Sequence, residues 1–296
     1  MIFDNFATMK LQTPVTDEKC KVGISFKDKI LMLGSCFSDE IGRQLSDLGF
    51  DVLVNPFGTL YNPASIASAV ERLAQKTRFT ADDCVEIGAG DSRICSFSHH
   101  TSHSGADAEE FLAKANASLE YASDFFRRCN KVIITLGTSW CFRNIASGKI
   151  VSNCLKHPAA EFIREMLSPE QTAGLLKQVM ETVAGTPKEF IFTISPIRHF
   201  KDGAHGNQLS KASLLLGVEA AIDEKSNYFP SYEIVMDELR DYRFYAEDMC
   251  HPSSQTTEYI RERFLEWALE KDEWPVLTQN IRDFKRRCHK DRSNNL

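Results

Sequence analysis

Two short stretches carry side chains able to do acyl chemistry. The first is Gly34-Ser35-Cys36, which follows the apolar run 30–33 and precedes apolar residues at Ile41, Leu45 and Leu48. That pattern predicts a strand turning sharply into a helix, a setting that lifts a nucleophile clear of a sheet. Ser35 and Cys36 are both nucleophile types, so residue type alone leaves the choice between them open. The second stretch is Asp248-Met249-Cys250-His251, just ahead of the last long helical pattern. A carboxylate three residues before a histidine on a tight turn can accept the imidazole Nδ1 proton and leave Nε2 as a base. Small residues after a strand also serve close packing, and a histidine before Pro252 also serves a loop. The two stretches together supply nucleophile, base and orienting acid, which favours a site for attack on a carbonyl.

The elements that must hold these groups alternate along the chain. Strand-like runs at 30–33, 51–57, 131–137, 189–196 and 232–239 are separated by helical patterns. Asn62 with Pro63, and Ser168 with Pro169 and Gln171, read as helix starts. Runs that are apolar on both faces belong to buried parallel strands, and parallel strands need crossover helices. The expected fold is therefore α/β: a three-layer α/β/α domain around a mainly parallel five-stranded sheet. Ligands of such sheets bind at the carboxyl ends of the strands. The polar strand ends are Gly34-Ser35-Cys36, Asn55–Gly58 in NPFG, LGTSW through Ser139, and SPIRH, where His199 either lines the pocket or serves the structure. In outline, residues 1–10 read as an N-terminal extension, 11–270 as the domain, and 271–296 as a tail that is partly helical or disordered.

The strings GSCFS, NPFGTLYNP, LGTSW, SPIRH and RFYAEDMCHPS, in that order, resemble the GSCFA family of the GDSL/SGNH hydrolase superfamily. The resemblance covers residues 11–270. It implies a flavodoxin-like SGNH fold, a nucleophile in the first block and Asp-x-x-His in the last. Aligned with the superfamily's Gly-Asp-Ser, Cys36 takes the nucleophile's register and Ser35 the aspartate's; a one-residue slip in the turn would exchange their roles. A thiol at a helix N-terminus near a histidine is expected to have a lowered pKa. The resemblance further implies oxyanion donors from the nucleophile's own N–H, a second-block glycine matched by Gly58, and a third-block asparagine. Here Ser139 stands where that asparagine is expected. Asn153 and Asn62 are substitutes, although each also reads as a turn or cap residue.

Composition narrows the remaining classes. The 296 residues are 43% hydrophobic and 26% charged, a globular balance able to bury a sizeable core. A net charge of -6 argues against nucleic acid as a partner, and the basic stretch 284–292 reads as a solvated end. No apolar run has the length of a membrane span, and no secretory pattern opens the chain, so a cytoplasmic protein without membrane partners is expected. Nine cysteines are scattered singly without any CxxC pair, and His99-His100-x-x-His103 lies among loop residues, so neither a metal nor a cofactor is expected. The expected function is hydrolysis of an ester or thioester by a Cys/Ser-His-Asp triad, with an acyl group on a carbohydrate as the candidate substrate. The alternative is a non-catalytic binding module that retains the cleft.

Overall fold

The computed structural model describes residues 12–16 and 19–294, so the expected extension at 1–10 lies outside the described residues. Five parallel strands form the central sheet: β1 (Lys29–Gly34), β2 (Asp51–Val54), β3 (Lys131–Leu136), β4 (Glu189–Ile194) and β5 (Ser226–Phe229). Their spatial order is β5-β4-β3-β1-β2. The order reverses at β1, and such a reversal opens a crevice at the carboxyl ends of the strands. Among the described residues, seven helices of eight residues or more accompany the sheet: α1 (Cys36–Asp47), α2 (Pro63–Gln75), α3 (Ala108–Arg128), α4 (Pro169–Glu181), α5 (Gly203–Glu219), α6 (Ser254–Ala268) and α7 (Trp274–Asn294).

Alternation along each strand divides the core in two. Leu31, Leu33, Val132, Ile134, Phe190 and Phe192 face a cluster shared with α2, α3, α4 and α5. Ile30, Met32, Ile133 and Ile191 face the other way, against Phe37, Ile41 and Leu45 of α1 and Ile260 and Phe264 of α6. Each fully buried side chain of this kind contributes roughly 1.5–3 kcal/mol by leaving water. The result is the three-layer α/β/α arrangement expected from the sequence. The helix starts follow their cap residues: Asn62 Oδ1 accepts from Ser65 N–H at 2.9 Å, and Ser168 with Gln171 forms a reciprocal capping box.

One strand differs from expectation. Residues 232–239 are not a strand; the fifth strand is Ser226–Phe229, paired with β4. Pro230, which has no N–H to donate, follows it, and the chain then coils through Ser231–Glu233 into a π-helical stretch at Ile234–Leu239. The buried positions there include Ser231, Ile234, Val235 and Glu238, a helical period. Two of those four are polar, so hydropathy shows only a short apolar run, which periodicity cannot assign. The polar pair is satisfied: Ser231 Oγ donates to Ile194 O at 2.7 Å, and Glu238 pairs with Arg263 at 2.7 Å and accepts Val15 N–H at 2.8 Å.

The chain's two ends of the domain meet. Ile24 N–H donates to Ala268 O, and Glu270 N–H to Ile24 O, fastening the segment before β1 to the end of α6. Beyond it, α7 buries Leu277 and donates from Asn280 to Leu48 O at the end of α1. No helix among the described residues is long and apolar enough to cross a membrane.

Candidate active site

β1 delivers the chain to Gly34, whose φ of 149° favours glycine and whose hypothetical Cβ would lie 2.2 Å from Thr135 O. Ser35 then caps α1: its Oγ accepts Phe37 N–H at 3.3 Å, and the residue is 1% exposed. Cys36, the first helical residue, is half-buried and opens onto a cleft of about 390 Å³. Glu40, Arg43, Ile197, His251 and Thr257 also line this cleft. The hydroxyl is thus committed to the helix cap, while the thiol shares a cavity with the histidine.

His251 Nδ1 lies 2.6 Å from Asp248 Oδ2. The other carboxylate oxygen, Oδ1, accepts the main-chain N–H groups of Cys250 at 2.8 Å and His251 at 2.9 Å. These donors to the ionised form, with the His251 amide foremost, hold the Asp248 carboxyl down to about 2. Met249 has φ 55°, the left-handed turn that brings the two ends of the motif together. With Nδ1–H given to the carboxylate, Nε2 is the basic nitrogen of the ring.

The thiol's electrostatics differ from the sequence-based expectation. The Cys36 pKa is raised, chiefly by burial and then by the Asp39 carboxylate, and the first-turn amides do not offset this. Cys36 is therefore a neutral thiol at pH 7 and needs a base. Asp39 itself is pushed up by burial, against a 2.7 Å hydrogen bond from Asn55 Nδ2. Asn55 also accepts Gly34 N–H, so it braces the Ser35-Cys36 turn, a contact that its place in NPFG does not reveal. A second residue overlooked in the sequence is Tyr61, whose phenol is near enough to Cys36 and Asp39 for both to add to the rise that burial gives its pKa.

None of Gly58, Ser139, Asn62, Asn153 and His199 lines the cleft that Cys36 opens onto. Gly58 N–H donates to Asn55 O at 2.8 Å; its φ is 83°, and a Cβ there would meet that of His100 at 2.4 Å. Ser139 is fully buried and gives Oγ–H and N–H to Ser210 Oγ at 3.1 and 2.8 Å. Asn62 Oδ1 caps α2 and Asn153 Oδ1 accepts Leu155 N–H at 2.8 Å, which leaves both NH₂ ends able to donate, but neither residue lines the Cys36 cleft. His199 lines a different cavity, and burial brings its imidazole down to about 4. At the thiol itself the Cys36 N–H, a first-turn amide with no intrahelical acceptor, is a donor.

Lys211 of α5 organises the neighbouring strand ends. It is fully buried, donates from Nζ to Gly137 O at 2.6 Å and Ser195 O at 2.7 Å, and is lowered to about 7 by desolvation. His99, from the histidine-rich loop, packs among Phe57, Phe79 and Phe111 and shares a 2.7 Å hydrogen bond with Ser96 Oγ. Among the described residues, no group of three or more His, Cys, Asp and Glu could hold a metal ion.

No curated protein matches the chain. The model of the GSCFA family matches residues 29–264, a span that runs from the first strand through Cys36 and Asp248-x-x-His251 into α6, and the chain belongs to that family.

Proposed function

We propose that this protein is an SGNH-type hydrolase that cleaves an ester or thioester with Cys36 as nucleophile, His251 as base and Asp248 as its orienting acid. The observation that carries the reading is the 2.6 Å Asp248–His251 pair, whose imidazole lines the cleft that receives the Cys36 thiol. The sheet order, with its crevice beside β1, is consistent with it.

In the proposed reaction, His251 Nε2 takes the thiol proton as Sγ bonds to the acyl carbon. The carbonyl π electrons move to oxygen, where Cys36 N–H and the Tyr61 hydroxyl are candidate donors. The tetrahedral species collapses, and the departing oxygen or sulfur takes the proton from Nε2. Water, deprotonated in turn by His251, releases the acid and restores the thiol. Asp248 stays ionised throughout and stabilises the imidazolium. An acyl group on a carbohydrate remains the substrate proposal by superfamily analogy.

The test compares wild type with Cys36→Ala, His251→Ala and Ser35→Ala on a p-nitrophenyl ester panel, with intact-mass trapping by an acyl or thiol-reactive probe. Loss of activity in the first two with survival in Ser35→Ala supports the thiol mechanism. Activity that survives Cys36→Ala and disappears in Ser35→Ala moves the nucleophile to the hydroxyl. The placement of Gly58, Ser139 and Asn153 outside the Cys36 cleft favours a second reading, a binding module that keeps the cleft. Inert wild type with no adduct supports that one.

A further inference from the structure

A second cavity, of about 310 Å³, shares no lining residue with the Cys36 cleft, although Ile197 belongs to one and Arg198 to the other. It lies where the loop after β4 meets the start of α5 and the coil that follows β5. Much of its wall is aromatic. The Arg198 guanidinium lies 4.8 Å from the centre of the Phe200 ring and 5.6 Å from those of Tyr242 and Tyr245.

The polar groups of the wall are biased toward donation. Arg198 gives one hydrogen bond from Nη1 to Met249 O at 3.2 Å, and no carboxylate among the described residues pairs with it. Asn207 Oδ1 is occupied by His199 N–H at 3.0 Å, and Gln208 Oε1 by the Tyr232 hydroxyl at 2.7 Å. What both side chains still have to offer is the NH₂ end. The carboxylate in the wall, Asp241, is turned to its own loop and accepts Arg243 N–H at 2.9 Å. Gly203 and Ala204, the first residues of α5, border the cavity and add the positive end of a helix to the same space.

An unpaired guanidinium, amides reduced to their donor ends and a helix N-terminus together favour negative charge. Aromatic walls favour a flat apolar body, and the volume lies at the small end of ordinary ligand sites. We infer that this cavity binds a small organic anion: a carboxylate or phosphate on an aromatic ring system, with the anion on Arg198 and Asn207 and the rings against the tyrosines. The inference does not depend on Cys36 being a nucleophile.

Isothermal titration calorimetry on the full chain tests it with 2-naphthoate, 2-naphthyl phosphate and the neutral 2-naphthamide. At least one anion should bind with a Kd below about 1 mM, and the amide at least about tenfold more weakly. The tighter of the two anions identifies the headgroup as carboxylate or phosphate. Arg198→Gln should weaken that anion at least about tenfold by removing the charge. Ala204→Trp, at an exposed helical position, should abolish binding by filling the cavity and decides the matter if Arg198→Gln fails to fold. Cys36→Ala should bind as wild type does, which separates this site from the proposed hydrolase centre. Absence of saturable binding by either anion, equal binding of the amide, or unchanged affinity in a folded Arg198→Gln or in Ala204→Trp would overturn the inference.

Discussion

Asn55 Oδ1 accepts the main-chain N–H of Gly34 at 2.8 Å, joining the carboxyl ends of β1 and β2 immediately before the Ser35-Cys36 turn. The same side chain donates to Asp39, and the residue has φ 41°, a conformation that most side chains disfavour. Asn55→Ala should leave a buried amide without its partner and add backbone strain, costing about 2–4 kcal/mol. Asn55→Gly should recover about 1 kcal/mol of that loss, because glycine tolerates the backbone angle. Urea denaturation of the three proteins checks both values.

Alkylation of Cys36 should be slow at pH 7. Burial and Asp39 raise the thiol pKa above 9.0, so the thiolate fraction climbs about tenfold per pH unit through neutrality and begins to level only above pH 9. Asp39→Asn removes the second of these causes and should shift the curve to lower pH. Peptide mass spectrometry after timed iodoacetamide treatment reads both curves. A Cys36 already fully reactive at pH 7 would contradict the electrostatic account.

The buried ammonium of Lys211 makes stability depend on pH. Its folded pKa of about 7 lies below the unfolded value, so between about 7 and 10.4 the unfolded chain binds more protons than the folded one. Stability from this group therefore rises with pH across that window, by at most about 1.4 kcal/mol per unit, and its penalty is complete below pH 7. In Lys211→Met the slope should disappear, so wild type gains on the variant as pH climbs from 7 to 10. Paired urea titrations across that range measure the difference.

Asp248→Asn keeps the shape of the turn but cannot hold Nδ1–H as a carboxylate does. On any ester that proves to be a substrate, kcat should fall by roughly 10²–10⁴ with a smaller change in KM. Steady-state kinetics at fixed pH checks it, and a variant with unaltered kcat would remove Asp248 from the proposed triad.

Local patterns were legible in the sequence. The apolar runs of β1, β3 and β4 mark buried parallel strands, and Asn62-Pro63 and Ser168-Pro169 mark helix starts that the structure contains. Asp248-x-x-His251 can be read because both residues lie on one short turn. Relationships that cross the fold could not be read in this way. Ser139 pairs with Ser210 and Asn55 with Gly34, contacts fixed by which strand ends lie side by side. The helix N-terminus at Cys36 is visible in sequence and predicts a lowered pKa, whereas burial and the approach of Asp39, which raise it, appear only in the fold. At 232–239 the sequence reads as a strand because Ser231 and Glu238 face inward as polar residues whose partners, Ile194 and Arg263, are distant in sequence.

The hydrogen bonds between Ile24 and residues 268 and 270 set an order of events during synthesis. The segment at Ile24 leaves the ribosome well before its partner at the end of α6, so the amino end of β1 stays unclasped while the intervening strands emerge. Folding proceeds from the N-terminus as the chain appears, but this closure must wait for translation of residue 270. Until then the part of the sheet face that Ile260 and Phe264 of α6 pack against is uncovered, and the nascent chain is most open to misassociation at that moment.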